Sequence, residues 1–345
     1  MPNITTNTQY QQILSLTLED RSTGYVDLVS NNNALFAVLK RKGLWQTYSG
    51  PRIRQTLQIA KQNAQWYSGY DQLLNPAIDL FNDAYFEPKM CVVPVILSMQ
   101  EILNNEGESQ IIDVFDAYID AAERALTDTM DAGIYSDGTA NGGKQITGLA
   151  TAVPIVTNTG VYGGIDRASA SIWRTQTFDP SGSAGSVSLA AINTQVTSTT
   201  IRPMLNFIMT RQSRGKDYAD LLIMSPEHYS AYDAATVLIQ RQTNETSLGK
   251  LGFSALEYIG GGKRAEIVLD GGIGSNIPAN TTFGLNTDTL RLRYHPSRNF
   301  DKLFPGEGLM PIDKDAIAQF IGWMGELTQV NPYFNWRFYD SNPAA

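Results

Sequence analysis

Apolar residues recur at helical spacing most plainly in SQIIDVFDAYIDAAERALTDTMDAG, where Ile111, Val114 or Phe115, Tyr118, Ala122, Ala125 or Leu126, and Met130 stand three or four apart. Asp113, Asp116, Asp120, Glu123, Arg124, Asp128 and Asp131 fall mainly on the opposite side. Ser109 can cap the start and Gly133 can supply the stop. The pattern predicts a helix of about six or seven turns, roughly 35 Å long.

Before it, between Trp45 and Leu97, the texture is strand-like. RIRQTLQIAKQNAQWYSGYDQ and AIDLFNDAYFEPKMCVVPVIL alternate loosely, with Gly69 and Asn75-Pro76 as turn signals. Two strands of about fifteen residues would form a projecting ribbon of roughly 50 Å. Such a ribbon is marginal in water without a partner. Trp45, Tyr48, Trp66, Tyr67 and Tyr70 on it are therefore expected to pack against something, either the rest of the same domain or another molecule. Residues 1–40 are rich in Asn, Gln and Thr with short apolar clusters, which predicts an extended arm with one or two short helical pieces.

After Gly133 a Gly-, Ser- and Thr-dense stretch predicts strands and loops. Leu189, Ile192 and Val196 then predict a helix ended by Pro203. An apolar strand at Leu221–Met224 runs into Ser225 as cap and Pro226 at the first helical position. Residues 253–270 read as a hairpin around Gly260, Gly261 and Gly262. In the tail, Leu290, Leu292 and Tyr294 alternate with Arg291, Arg293 and His295 as a half-buried strand. IAQFIGWMGEL is apolar on both faces and belongs inside a sheet or under the long helix. Tyr333, Phe334, Trp336 and Phe338 predict a last strand completing an antiparallel sheet. There is no internal repeat and no low-complexity linker.

Composition narrows the function. The chain has 345 residues, 42% of them hydrophobic, enough for a substantial core. Its 26 Lys and Arg against 34 Asp and Glu give a net charge of −8, which argues against a protein built to grip nucleic-acid phosphates. One cysteine, Cys91, excludes an intramolecular disulfide framework. No export signal and no membrane span are expected, and the chain reads as cytosolic and soluble.

Candidate chemistry is sparse. GTANGGKQ, residues 138–145, comes close to a phosphate-binding loop, with Gly138, Gly143 and Lys144 in place but Gln145 where a Ser or Thr should hold magnesium. The long helix also precedes it, whereas a phosphate loop opens a helix, so a Gly-rich turn is expected instead. His228 and His295 lack metal-site spacing, Cys91 sits in an apolar run, and no G-x-S-x-G elbow occurs. Asp113, Asp116 and Asp120 share a solvated face. Lys40, Arg41 and Lys42, with Arg52 and Arg54, could touch phosphates or form a salt-bridging surface. No catalytic, cofactor or metal site is expected.

A positive signal comes from order. The acidic helix ending DAGIYSDGTANGGKQITGLATAVP resembles the region of tailed-phage major capsid proteins where the spine helix hands over to the second domain. ASASIWRTQTFD is similar to that family's following segment, and DAIAQFIGWMGELT to its late strand pair. The resemblance touches residues 109–178 and 315–328 directly, and the order of elements matches across nearly the whole chain.

What this resemblance implies is an α+β, Hong-Kong-97-like viral capsid fold. Its parts would be an N-terminal arm at 1–45, an extended two-stranded loop at 46–98, a peripheral domain with the spine helix at 99–145, a mixed α/β axial domain at 146–289, and late strands at 290–345 returning mainly to the peripheral domain. It implies a structural subunit of an icosahedral phage head, self-assembling into pentamers and hexamers around packaged double-stranded DNA. Trp45, Arg52, Arg54, Trp66, Tyr67 and Tyr70 become candidate intersubunit contacts. Scaffolding, portal and decoration proteins are implied partners, with weak non-specific contact to DNA, assembly in the host cytoplasm and no membrane. A covalent crosslink is not assignable to Lys61 or Asn63. The alternatives are a non-viral encapsulating compartment of the same fold and a nucleotide-dependent enzyme using Lys144.

Overall fold

A computed structural model of the chain describes residues 34–62, 64–73, 76–104, 114–183, 185–236, 256–271, 276–303 and 315–343. Two sheets organise these residues. The first holds four strands in the order β1 (Trp45–Thr47), β13 (Leu290–Lys302), β14 (Ala316–Gln329) and β4 (Lys89–Ser98). β1 runs parallel to β13, and the other pairs are antiparallel. β14 lies inside the sheet, which accounts for its being apolar on both faces: Ile321, Trp323 and Leu327 are buried.

The long helix, Val114–Tyr135, packs against this sheet along Ala122, Leu126, Met130 and Ile134. Tyr118 is half-buried and Ala125 exposed, so of the paired positions Leu126 carries the stripe. Ser109 and Asp113 lie outside the described residues. Gly133 does not stop the helix, which continues to Tyr135. The stop comes from Ser136, whose N–H donates to the Gly133 carbonyl at 3.1 Å and whose Oγ lies 2.8 Å from the same oxygen. Asp131, expected on the solvated side, is buried and accepts a hydrogen bond from Asn276 at 3.0 Å.

The second sheet has seven strands in the order β10 (Leu256–Gly260), β11 (Lys263–Leu269), β9 (Leu221–Met224), β12 (Thr281–Leu285), β15 (Trp336–Tyr339), β7 (Gln176–Asp179) and β8 (Val187–Ser188). β10 and β11 form the expected hairpin, and Gly261 and Gly262 supply the two positive-φ positions its turn requires. β9 is buried on both faces. Leu221 and Ile223 join the core shared with the long helix, while Leu222 and Met224 join a second core under the helices Ile201–Arg211 and Pro226–Thr236. That two-sided burial explains why LLIM is apolar without alternation.

Three expectations change. The helix foreseen between Ser186 and Pro203 lies instead at Ile201–Arg211, with Pro203 in its first turn, where no intrahelical donor is required. The last strand does not complete an antiparallel sheet. β15 pairs antiparallel with β12 but parallel with β7. The projecting ribbon is shorter than foreseen: β2 (Ile53–Gln58) pairs with β3 (Phe81–Phe86) over six residues each. Glu87-Pro88 breaks the second segment, and its continuation enters the four-stranded sheet as β4. Residues 1–33, the greater part of the expected arm, lie outside the described residues.

Candidate assembly surface

The ribbon alternates as a strand pair with one buried face must. Ile53, Leu57, Ala84 and Phe86 turn inward, and the Phe86 ring meets Tyr162 edge-on at 5.3 Å. Tyr162 belongs to a small hairpin, β5 (Val161–Tyr162) and β6 (Ile165–Asp166), whose Gly163 carbonyl accepts the Tyr85 N–H at 2.9 Å. The ribbon base is thus fixed to the body. On the outer face Arg54 pairs with Asp83 and lies over the Tyr85 ring at 5.9 Å. The Arg54 hydrogen bond holds the Asp83 carboxyl below the usual carboxylate range. Arg52 pairs with Glu87 at 3.2 Å, both well exposed. Both arginines therefore already have partners within the ribbon.

Beyond Gln58 the chain leaves regular pairing and turns at the tip. Ser68 and Asp71 close the turn, the Ser68 N–H donating to Asp71 Oδ2 at 2.9 Å and the Asp71 N–H to the Ser68 carbonyl at 3.2 Å. Gly69 supplies a positive φ of 54° between them. Three aromatic side chains are thereby held out in water: Trp66 is 102% exposed, Tyr70 108% and Tyr67 67%. A folded chain gains nothing internally from aromatics displayed this way.

Trp45, grouped with them by sequence, sits elsewhere. Its ring is half-buried against Phe36 at 4.9 Å, Tyr294 at 5.7 Å and Phe300 at 6.2 Å. These rings line an open cleft of about 500 Å³, with Lys40, Glu123, Thr127 and Asn299 at its edges. The basic run next to it is a salt-bridging surface, Arg41 reaching Glu266 at 2.7 Å and Lys42 reaching Asp220 at 2.8 Å.

GTANGGKQ is a turn. Asn141, Gly142 and Gly143 all have positive φ, Lys144 is exposed, and the long helix arrives by its carbonyl end, which repels rather than attracts phosphate. The following Gly148 lies against that helix end, where a Cβ would come within 2.2 Å of the Ile134 carbonyl oxygen. His228 is buried, its Nδ1 2.8 Å from Thr282 Oγ1, and burial lowers its pKa to about 4. His295 stacks edge-on against Tyr48 at 5.8 Å. Cys91 is half-buried on β4, and burial raises its thiol pKa. Among the described residues no group of three or more His, Cys, Asp or Glu could hold a metal ion, and no helix is long and apolar enough to cross a membrane.

Sequence reasoning missed the buried carboxyls. Glu326 on β14 accepts the N–H groups of Thr147 at 2.7 Å and Leu327 at 3.3 Å, and burial pushes its pKa to about 8. Nothing in the one-dimensional pattern marks it beyond its place inside an apolar run.

The whole arrangement, a long helix on a four-stranded sheet, a fixed ribbon with a bare aromatic tip and a mixed seven-stranded sheet, is the Hong-Kong-97-like capsid shell fold. The subunit of the cyanophage A-1(L) capsid superposes with a TM-score of 0.66 at 16% identity, covering 97% of this chain and 98% of that one. The capsid of cyanophage P-SCSP1u gives a TM-score of 0.56 at 13% identity over 95% and 94% of the two chains. A holo-SrpI encapsulin of Synechococcus elongatus gives 0.52 at 9% identity, again over 95% and 94%. No family model and no curated protein matches the sequence.

Proposed function

We propose that this chain is the structural subunit of an icosahedral phage head, located in the virion capsid and acting by self-association rather than catalysis. The observation that carries this reading is the bare aromatic tip on a fold that matches shell subunits over nearly their full length. Trp66, Tyr67 and Tyr70 are the intersubunit contacts, and a second copy buries them. Arg52 and Arg54 shape the ribbon and offer charge at its rim. Trp45 contributes as a wall of the cleft it shares with Phe36, Tyr294 and Phe300, which is the acceptor we assign on the second copy. Charge supports that pairing: Lys61 and Asp71 flank the tip, and Glu123 and Lys40 flank the cleft.

In this reading pentamers and hexamers enclose double-stranded DNA, and the net charge of −8 keeps contact with that DNA weak and non-specific. Assembly takes place in the host cytoplasm with a separate scaffolding protein, a portal and decoration proteins as further partners. Binding of the isolated subunit to a DNA duplex should be weak and should vanish at moderate salt; tight binding would contradict this assignment.

The likeness to an encapsulin supports a second reading, a non-viral compartment of the same fold. Mass spectrometry of material purified from the native source separates the two. A packaged enzyme favours the compartment, and packaged genome-length DNA favours the head.

A further inference from the structure

One edge of the ribbon is covered by the body and the other is open. The Ile59 N–H donates to the Leu80 carbonyl at 2.9 Å, and the same register pairs Ile53, Gln55 and Leu57 with Phe86, Ala84 and Asn82. In an antiparallel pair only alternate residues turn their backbone groups toward the partner strand. Arg54, Thr56 and Gln58 therefore turn their N–H and C=O groups away from β3. Tyr85, opposite Arg54, shows the same alternation on the other strand, since its N–H points outward to the Gly163 carbonyl at 2.9 Å. The outer edge of β3 is thus taken by the β5–β6 hairpin. On the outer edge of β2 the backbone groups of Arg54, Thr56 and Gln58 have no backbone partner among the described residues.

The open edge borders a cleft of about 760 Å³. Leu57 and Ile59 form its ribbon side, and Ile172 and Tyr333 face them from the body. Ile172 is 46% exposed and Tyr333 45%. Cations gather at the rim although the chain as a whole carries −8. Lys61 and Arg214 are exposed lining residues with no ion pair among the described residues. Lys216 is exposed on the same turn as Arg214, and Lys263 donates to the Gly215 carbonyl at 2.5 Å. Asp217 is the acid of the lining.

We propose that the outer edge of β2 is a strand-addition site, which takes an extended segment of another protein chain that alternates aliphatic and polar residues and ends in acids. Each part of that description answers one feature of the cleft. Free N–H and C=O groups at every second residue match only an extended backbone, since a helix has satisfied its own. β2 offers six residues, a span of roughly 20 Å. Side chains of the added strand on the body side meet Leu57 and Ile59, which calls for aliphatic residues there. Those on the other side join the exposed Arg54, Thr56 and Gln58 and stay polar. Acids at the end near Lys61 and Arg214 meet charges that are otherwise unopposed. An uncovered strand edge is also a hazard that folded chains ordinarily blunt, so its retention beside a cleft fits use. The site belongs to a single subunit and does not depend on how copies of it meet.

The test uses the full chain and a blocked synthetic peptide, Val-Ser-Val-Ser-Val-Glu-Glu. Binding followed by fluorescence anisotropy should weaken as salt is raised. Hydrogen exchange resolved to single amides should slow at Thr56 and Gln58 when the peptide is bound. Methylating alternate backbone nitrogens of the peptide removes the donors along one of its edges. One alternate set should weaken binding about fivefold for each hydrogen bond lost, and the other set should be tolerated. Lys61→Ala combined with Arg214→Ala, both exposed, should weaken binding roughly 2- to 30-fold and flatten its salt dependence. Absence of binding, unchanged exchange at Thr56 and Gln58, or equal binding of both methylated peptides overturns the site; the last outcome would mean capture by charge and apolar contact alone.

Discussion

Replacing Trp66 by Ala separates folding from assembly more cleanly than any other change in this chain. The side chain is 102% exposed, so its removal takes nothing from the core. The isolated subunit should keep its stability within ~0.5 kcal/mol, a shift in Tm of no more than about 2 °C for a chain of this size. Against a second copy the same side chain counts for more. A Trp buries roughly 150–250 Å², which at ~25 cal/mol per Å² is ~4–6 kcal/mol gross before the tip is ordered. Truncated anchors of this kind cost ~2–4 kcal/mol in measured interfaces. At ~1.4 kcal/mol per decade, each contact weakens roughly 30- to 700-fold, and a closed shell repeats the loss at every subunit. Light scattering against subunit concentration measures it: the onset of assembly should move up by at least an order of magnitude while thermal unfolding of the subunit stays put. An unchanged onset would refute the idea that the tip is an anchor, and a large fall in subunit Tm would refute its isolation from the body.

Three further outcomes are expected. A Cβ at Gly284 would lie 2.0 Å from Cε2 of the buried Trp336, so Gly284→Ala should destabilise by ~3 kcal/mol and lower the denaturation midpoint. Glu326 has a pKa raised from 4.5 to about 8, so its contribution is fully present below 4.5 and lost as pH climbs through about 8; Glu326→Gln should match the native chain in acid and exceed it by a few kcal/mol near pH 9 in chemical denaturation. Magnesium-ATP should leave Tm unmoved for both the native chain and Lys144→Ala, whereas a true site at 100 times its dissociation constant would add ~2.7 kcal/mol and restore the enzyme reading.

Periodicity revealed most of the scaffold because burial leaves a one-dimensional trace wherever a single face is covered. The helix stripe through Ala122, Leu126 and Met130, the Gly261-Gly262 hairpin and the apolar strand β14 were all legible for that reason. What stayed hidden depends on second-order packing. Asp131 lies on the polar side of the helix, yet it is buried and bonded to Asn276, far along the chain. Pro203 is ambiguous in sequence, since proline both ends one helix and opens the next, and only the described helix resolves which. The parallel partner of β15 is chosen by a strand some 160 positions earlier, beyond the reach of any local pattern. Of the candidate contacts, the sequence left Trp66, Tyr67 and Tyr70 open between packing on the body and meeting another molecule, and it is the folded tip that exposes them, whereas Trp45 shares their chemistry but falls at a strand that the core captures.

The central claim is that this chain closes into shells. Sedimentation of the purified chain followed by negative-stain electron microscopy, alone and co-expressed with its neighbouring genes, tests it most directly. Closed particles, or rings of five or six subunits, are the predicted result; a chain that stays monomeric in every condition, scaffold included, would contradict it.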